Sequence, residues 1–120
     1  MTWAKPKPSS RISFDDEQTK VHWDDGRGRS GTHRIAWHEV TKSIAYKRDL
    51  YVVDLICLDL ESSNLTVSFH EEMEGWEPFL DVLPSKLPGF WSKDRIYSQV
   101  MQPPFAAKST LIYRAGERAG

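Results

Sequence analysis

Long apolar runs are missing from this chain. No stretch approaches the roughly 20 consecutive apolar residues that cross a bilayer, and the N-terminus has no apolar core of a signal peptide. The cytoplasm is therefore the expected compartment, with no membrane as a partner. Cysteine is almost absent: Cys57 is the only one, which excludes an internal disulfide. Its place in the most apolar segment predicts a small buried hydrophobe rather than a nucleophile. Charge of one sign is also lacking. A net charge of −1 gives no whole-molecule field for nucleic acid or an anionic membrane.

Motifs that carry chemistry are missing as well. His38-Glu39 and His70-Glu71-Glu72 begin like His-Glu-x-x-His, but Lys42 and Glu74 stand where the second histidine is needed, so a zincin is excluded. Gly26-Arg27-Gly28-Arg29-Ser30-Gly31 is rich in glycine but lacks the Lys-Ser/Thr of a P-loop. No period of 20 to 50 residues repeats, which excludes a solenoid or propeller.

Aromatic residues and a readable core are present. Five tryptophans, five phenylalanines and four tyrosines supply large side chains to a chain of 120 residues, a length suited to one domain. From Tyr51 onward Val53, Leu55 and Cys57 fall on one face of an extended chain, with Val52, Ile56, Leu58 and Leu60 on the other, which predicts a central strand. Glu61-Ser62-Ser63-Asn64 interrupts it. Leu65, Val67 and Phe69 then alternate with Thr66, Ser68 and His70, so a hairpin follows. Met73, Trp76, Leu80 and Leu83 recur at helical spacing, predicting a helix that starts no earlier than about Glu74, carries Pro78 in its first turn and is closed by Pro84 and Pro88-Gly89.

Elsewhere, residues 12–14 and 21–23 read as an opening hairpin, and His33, Ile35 and Trp37 as a strand after the glycine-rich loop. Ile44 and Tyr46 mark another. Ser92 is placed to cap a second helix containing Ile96, Tyr97, Val100 and Met101, and Leu111, Ile112 and Tyr113 make either an edge strand or an extended tail. Residues 1–11 read as a mobile arm whose Trp3 docks on the parent domain or, as the alternative, on a partner, residues 12–114 as a single domain and residues 115–120 as a frayed end. Strands first and helices after predict an α+β fold: a curved antiparallel sheet of about six or seven strands followed by two helices, with a pleckstrin-homology-like order.

The segments AYKRDLYVVDLICLDLE at residues 45–61, HEEMEGWEPFLDVLPSKLPGF at 70–90 and QPPFAAKSTLIYR at 102–114 together resemble a family of small bacterial proteins. That likeness covers roughly the last two-thirds of the chain, and Pro78 and Asp59 depart from it. The family has no established activity, so the resemblance implies ancestry without chemistry.

Three groups of residues invite a functional reading. Between Glu61 and Asp81 lie six acids, Glu61, Glu71, Glu72, Glu74, Glu77 and Asp81, with no Lys or Arg among them. Acids favour a helix N-terminus, but Glu71, Glu72, Glu74 and Glu77 also make a negative patch for a basic protein partner, as on an immunity or accessory protein. If His38 and His70 met with Glu39 or Glu72, a two-histidine, one-carboxylate metal site or a hydrolase-type pocket would result. Arg27 and Arg29 could clamp an anion at the glycine-rich loop. Asp54, inside an apolar strand, calls for a cationic partner, with Arg48 and Arg34 the candidates. The leading expectation is a non-enzymatic protein-binding module, a monomer or weak dimer without cofactor or nucleic acid; the alternatives are the His/Glu hydrolase and the anion-binding module.

Overall fold

The structure, a computed structural model, describes residues 8–49, 54–100 and 109–116. The chain is α+β, with seven antiparallel strands and two helices among the described residues. The strands divide between two sheets. The first contains β1 (Ser9–Phe14), β2 (Gln18–Asp24) and β3 (Ser30–Ala36) in that spatial order. The second contains β4 (Lys42–Asp49), β5 (Asp54–Glu61), β6 (Thr66–His70) and β7 (Thr110–Arg114), in the order β6-β5-β4-β7. A 3-10 turn over Trp37–Glu39 carries the chain from one sheet to the other.

Local chemistry sets these turns. At the β1–β2 turn the Asp15 carboxylate accepts the Glu17 and Gln18 N–H groups at 2.8 and 2.9 Å, which closes an Asx turn. Those two bonds hold its carboxyl below the ordinary aspartate value. At the β5–β6 turn the Ser62 hydroxyl binds the Asn64 and Leu65 N–H groups. Trp37 leaves the strand alternation expected for it because its indole N–H reaches back to the Asp15 carbonyl at 2.8 Å, burying the ring beneath the turn.

The helices come between β6 and β7. Helix α1 (Trp76–Lys86) carries Pro78 in its first turn, where no intrahelical N–H is lost. Pro84 does not end it, as the sequence had indicated. The helix runs two residues further because buried Leu83 and Leu87 hold the last turn, with the Leu87 N–H on the Leu83 carbonyl at 2.8 Å. Helix α2 (Lys93–Val100) is capped by Ser92, whose hydroxyl accepts the Arg95 N–H at 3.3 Å. β7 then pairs with β4, so the Leu111–Tyr113 run is an edge strand.

One hydrophobic cluster joins both sheets and both helices. Ile12, Val21 and Ile35 come from the first sheet, and Ile56, Leu58, Leu60, Val67 and Phe69 from the second. Helix α1 adds Trp76, Phe79, Leu80 and Leu83, and Phe79 stacks on Phe69 with ring centroids 4.3 Å apart. The Trp76 indole donates to the Tyr97 hydroxyl at 2.9 Å, fixing α2 on α1. Leu55 and Cys57, on the opposite face of β5, are buried too, as the two-faced apolar pattern predicts.

Several sequence readings need correction or lie elsewhere. Ser9, Ser10 and Arg11 belong to β1 rather than to a mobile arm. The strand expected from Tyr51 is described from Asp54, and Trp3, residues 51–53 and Met101 lie outside the described residues. Asp54 pairs with Lys47, 3.6 Å away, and not with Arg48 or Arg34. The register explains why: Asp54 lies opposite position 49, and two residues back along β4, on the same side of the pleat, stands Lys47. Asp54 is also exposed rather than buried.

Candidate functional site

Of the six acids between Glu61 and Asp81, four are committed within the fold. Glu61 faces Lys42 across the β4–β5 ladder at 3.8 Å. Glu77 and Asp81, one helical turn apart on α1, converge on Lys93 of α2 at 3.1 and 3.2 Å. Glu71 caps the end of the β5–β6 ladder: its N–H donates to the Ile56 carbonyl at 3.1 Å, and its carboxylate accepts the Ile56 N–H at 2.9 Å. Glu71 and Glu77, expected on a partner-binding patch, thus have partners within the fold, Glu71 on the β5 backbone and Glu77, still exposed, on Lys93.

Glu72 and Glu74 remain, both exposed on the segment between β6 and α1. That segment is pinned to β1, because the Ile12 N–H donates to the Glu74 carbonyl at 2.7 Å and the Glu74 N–H to the Ser10 carbonyl at 3.2 Å. Gly75 makes the approach feasible. Its φ is +91°, and a Cβ there would stand 2.5 Å from the Ile12 carbonyl oxygen. The contact brings Glu72 and Glu74 to the end of the first sheet, where β2 finishes in Trp23-Asp24 and Asp25 follows. The result is a cleft of about 650 Å³ lined by Trp23, Asp24, Asp25, His70, Glu72 and Glu74, with Pro8, Ser9 and Ser10 along its edge. Four carboxylates line the space with an indole and an imidazole, and among the described residues no Lys or Arg lines it.

The cleft walls are positioned before any ligand arrives. Trp23 lies over Gly31 of β3, where any Cβ would come within 2.7 Å of the indole nitrogen. Its ring stacks against His33 at 6.5 Å. Asp24 and Asp25 are fixed by the hairpin: Asp24 Oδ1 accepts the Gly26 N–H at 2.7 Å, and Asp25 Oδ1 those of Arg27 and Arg29 at 2.7 and 3.0 Å. His70 Nδ1 accepts the Glu72 N–H at 3.2 Å. Burial, more than the neighbouring charges, holds the His70 pKa below the ordinary histidine value, and Glu72 and Glu71 oppose that shift while Arg48 adds to it. An acceptor Nδ1 and a depressed pKa both favour the neutral ring.

The other expected sites do not assemble. His38 stands in the 3-10 turn beside a separate cleft of about 700 Å³, which it shares with Asp16, Lys86 and Tyr113. Asp16 and Lys86 are joined across that cleft at 2.8 Å. His38, His70 and Glu72 therefore form no common site, and no group of three or more His, Cys, Asp or Glu suited to a metal ion occurs among the described residues. In the glycine-rich loop the Asp24 and Asp25 carboxylates already accept the N–H groups of Gly26, Arg27 and Arg29. Arg27 and Arg29 are exposed beyond it. Cys57 is buried, and its thiol is pushed up to about 11, chiefly by desolvation, so it is no nucleophile at neutral pH.

Sequence reading missed Trp23, Asp24 and Asp25. The one signal available was an aromatic residue followed by two acids at a strand end, which reads equally well as an ordinary hairpin. No helix among the described residues is long and apolar enough to cross a membrane. No family model, curated protein or solved structure matches the chain.

Proposed function

We propose that the protein is a non-enzymatic protein-binding module, an immunity or accessory protein of the cytoplasm, whose acidic cleft receives a basic segment of one partner. The observation that carries this reading is the union of Asp24 and Asp25 with Glu72 and Glu74 around Trp23. Four carboxylates in one concave space create a local negative potential that the net charge of −1 conceals, and such a potential speeds encounter with a cationic surface. A Lys or Arg entering the cleft meets carboxylates at its head and an indole face along its stem, a contact worth about 0.5–2 kcal/mol beyond the charge pairing. Because Trp23 and both aspartates are already held, little ordering cost falls on this side of the complex. Kinship with the small bacterial proteins that share the KRDL, DLICL and LPGF segments belongs to the same proposal.

Affinity capture from the protein's own cell extract tests it, with the wild type compared against a Glu72→Gln, Glu74→Gln double variant. Both side chains are exposed, so the variant keeps the fold. One dominant basic protein held by the wild type at low salt, and lost both at moderate salt and with the variant, is the expected result. Equal capture by the variant removes the proposal.

A further inference from the structure

The outer face of the first sheet carries a second charged arrangement, of opposite sign, that borders the cleft at Asp24 and Glu74. Alternation along β1, β2 and β3 sends Ile12, Val21 and Ile35 into the core. Their neighbours point outward, and the register aligns them in two rows: Arg11, His22 and Thr32 in one, Ser13, Lys20 and Arg34 in the next. Cross-strand neighbours lie about 5 Å apart and successive outward residues about 7 Å apart. Two arginines, a lysine and a histidine therefore occupy a patch about 10 Å across the strands and about 7 Å along them, centred on β2.

This arrangement is unfavourable as it stands. Lys20 and Arg34 are directly opposite, and like charges in that position destabilise a sheet. Among the described residues no carboxylate forms an ion pair with Arg11, Lys20 or Arg34. The acids nearby stand at the margins. Asp24 lies one outward position beyond His22, Glu74 shares a shallow cleft with Arg11 and His22, and Asp15 feels Lys20 from the β1–β2 turn.

His22 adds a specific feature. One ring nitrogen, Nε2, is 2.9 Å from the Ser13 hydroxyl and the other, Nδ1, is 3.1 Å from the Thr32 hydroxyl, so the imidazole is held between the flanking strands. When the ring is protonated, both nitrogens donate. Both hydroxyls then accept from the ring, and their own hydrogens are free to turn outward.

We propose that this face binds a phosphomonoester dianion over β2, between Lys20 and His22, with Arg11 reaching it from β1, Arg34 from β3 and the Ser13 and Thr32 hydroxyls completing the donors. A compact patch of this kind suits one doubly charged group. A phosphodiester strand calls instead for cations spread along a track, and for aromatic platforms, which the described outward residues of this face do not supply. The anion relieves the Lys20–Arg34 repulsion and stabilises protonated His22. In the free protein burial, then Arg11 and Lys20, holds that histidine below its ordinary pKa.

The test is an NMR titration of the full chain that follows the His22 ring resonances. Its arms are phenyl phosphate, inorganic sulfate as a dianion that does not titrate near neutrality, and a single-stranded oligothymidylate. Phenyl phosphate is expected to shift the His22 signals and raise its pKa, and sulfate to do so at higher concentration. Arg34→Gln, at an exposed site, and separately Lys20→Gln should each weaken phenyl phosphate about tenfold or more, the value of one charge-assisted bond. Glu72→Gln with Glu74→Gln should not weaken it, which separates this face from the acidic cleft. Unchanged affinity in both cation variants, an unperturbed His22, or tighter binding of the oligonucleotide than of phenyl phosphate overturns the proposal.

Discussion

Glu71 satisfies both backbone groups of Ile56, its own N–H meeting the carbonyl and its carboxylate meeting the N–H at 2.9 Å. The side chain stands where the next residue of a longer β6 would have placed a carbonyl, so β5 loses no bond where its partner strand stops at His70. Ile56 is only 1 % exposed, which leaves its N–H no access to water as a substitute. Glu71→Ala should therefore lower unfolding stability by about 1–3 kcal/mol, the cost of an unsatisfied buried donor. Glu71→Gln keeps an oxygen acceptor and should lose clearly less. Urea unfolding of the two variants measures the difference.

Gly75 and Gly28 share a φ of +91° but differ in surroundings. At Gly28 nothing lies within 4 Å of an added Cβ, so Gly28→Ala should cost only the left-handed backbone term, about 1–2 kcal/mol. At Gly75 the Ile12 carbonyl stands in the way as well. Gly75→Ala should destabilise more than Gly28→Ala and should weaken partner capture, because the same contact carries Glu72 and Glu74 to the cleft. Thermal unfolding of both variants, together with the capture assay, tests the pair.

Acid should weaken the fold before the carboxylates titrate. His22 and His70 both have folded-state pKa values below the ordinary 6.5, each chiefly through burial. Between those lowered values and 6.5 the unfolded chain binds more protons than the folded one, so stability is fullest above 6.5 and declines as the pH falls through that window. For His70 protonation also takes away the acceptor of the Glu72 N–H. Urea midpoints followed from about pH 7.5 to about pH 5.5 should fall, and His70→Gln should flatten the slope.

Cys57, 3 % exposed with its thiol near 11, should react with a disulfide reagent no faster than the protein opens. Stopped-flow labelling in rising urea checks this. Labelling in native buffer at the rate of a free thiol would contradict the burial.

What the sequence made legible was local. Alternation at Leu55 to Leu60 and Val67 to Phe69 marked the β5–β6 hairpin, and the Trp76, Leu80 and Leu83 stripe marked α1, because each pattern is written in neighbouring residues. Division of the strands into two sheets was not legible, since alternation reports that a strand has a buried face and not which strand it faces. Lys47 could be named as the partner of Asp54 only once the β4–β5 register was known. The acidic run looked continuous in sequence, yet the structure sorts it residue by residue: Glu71 to a ladder end, Glu77 and Asp81 to Lys93, and Glu72 and Glu74 to the cleft. The meeting of Glu72 and Glu74 with Asp24 and Asp25 joins positions far apart in the chain through one backbone bridge, Arg11 to Glu74. No local pattern encodes that bridge.

The central claim is that the cleft around Trp23 takes a cationic segment of a partner. A direct measurement is calorimetric titration of a lysine- and arginine-rich peptide, cut from the captured partner, into the wild type, Glu72→Gln/Glu74→Gln and Trp23→Leu at low and moderate salt. Binding that weakens with salt and falls in both variants, while Glu77→Gln leaves it unchanged because Glu77 is engaged with Lys93, is the predicted result. Equal affinity in the wild type and in both cleft variants would contradict the account.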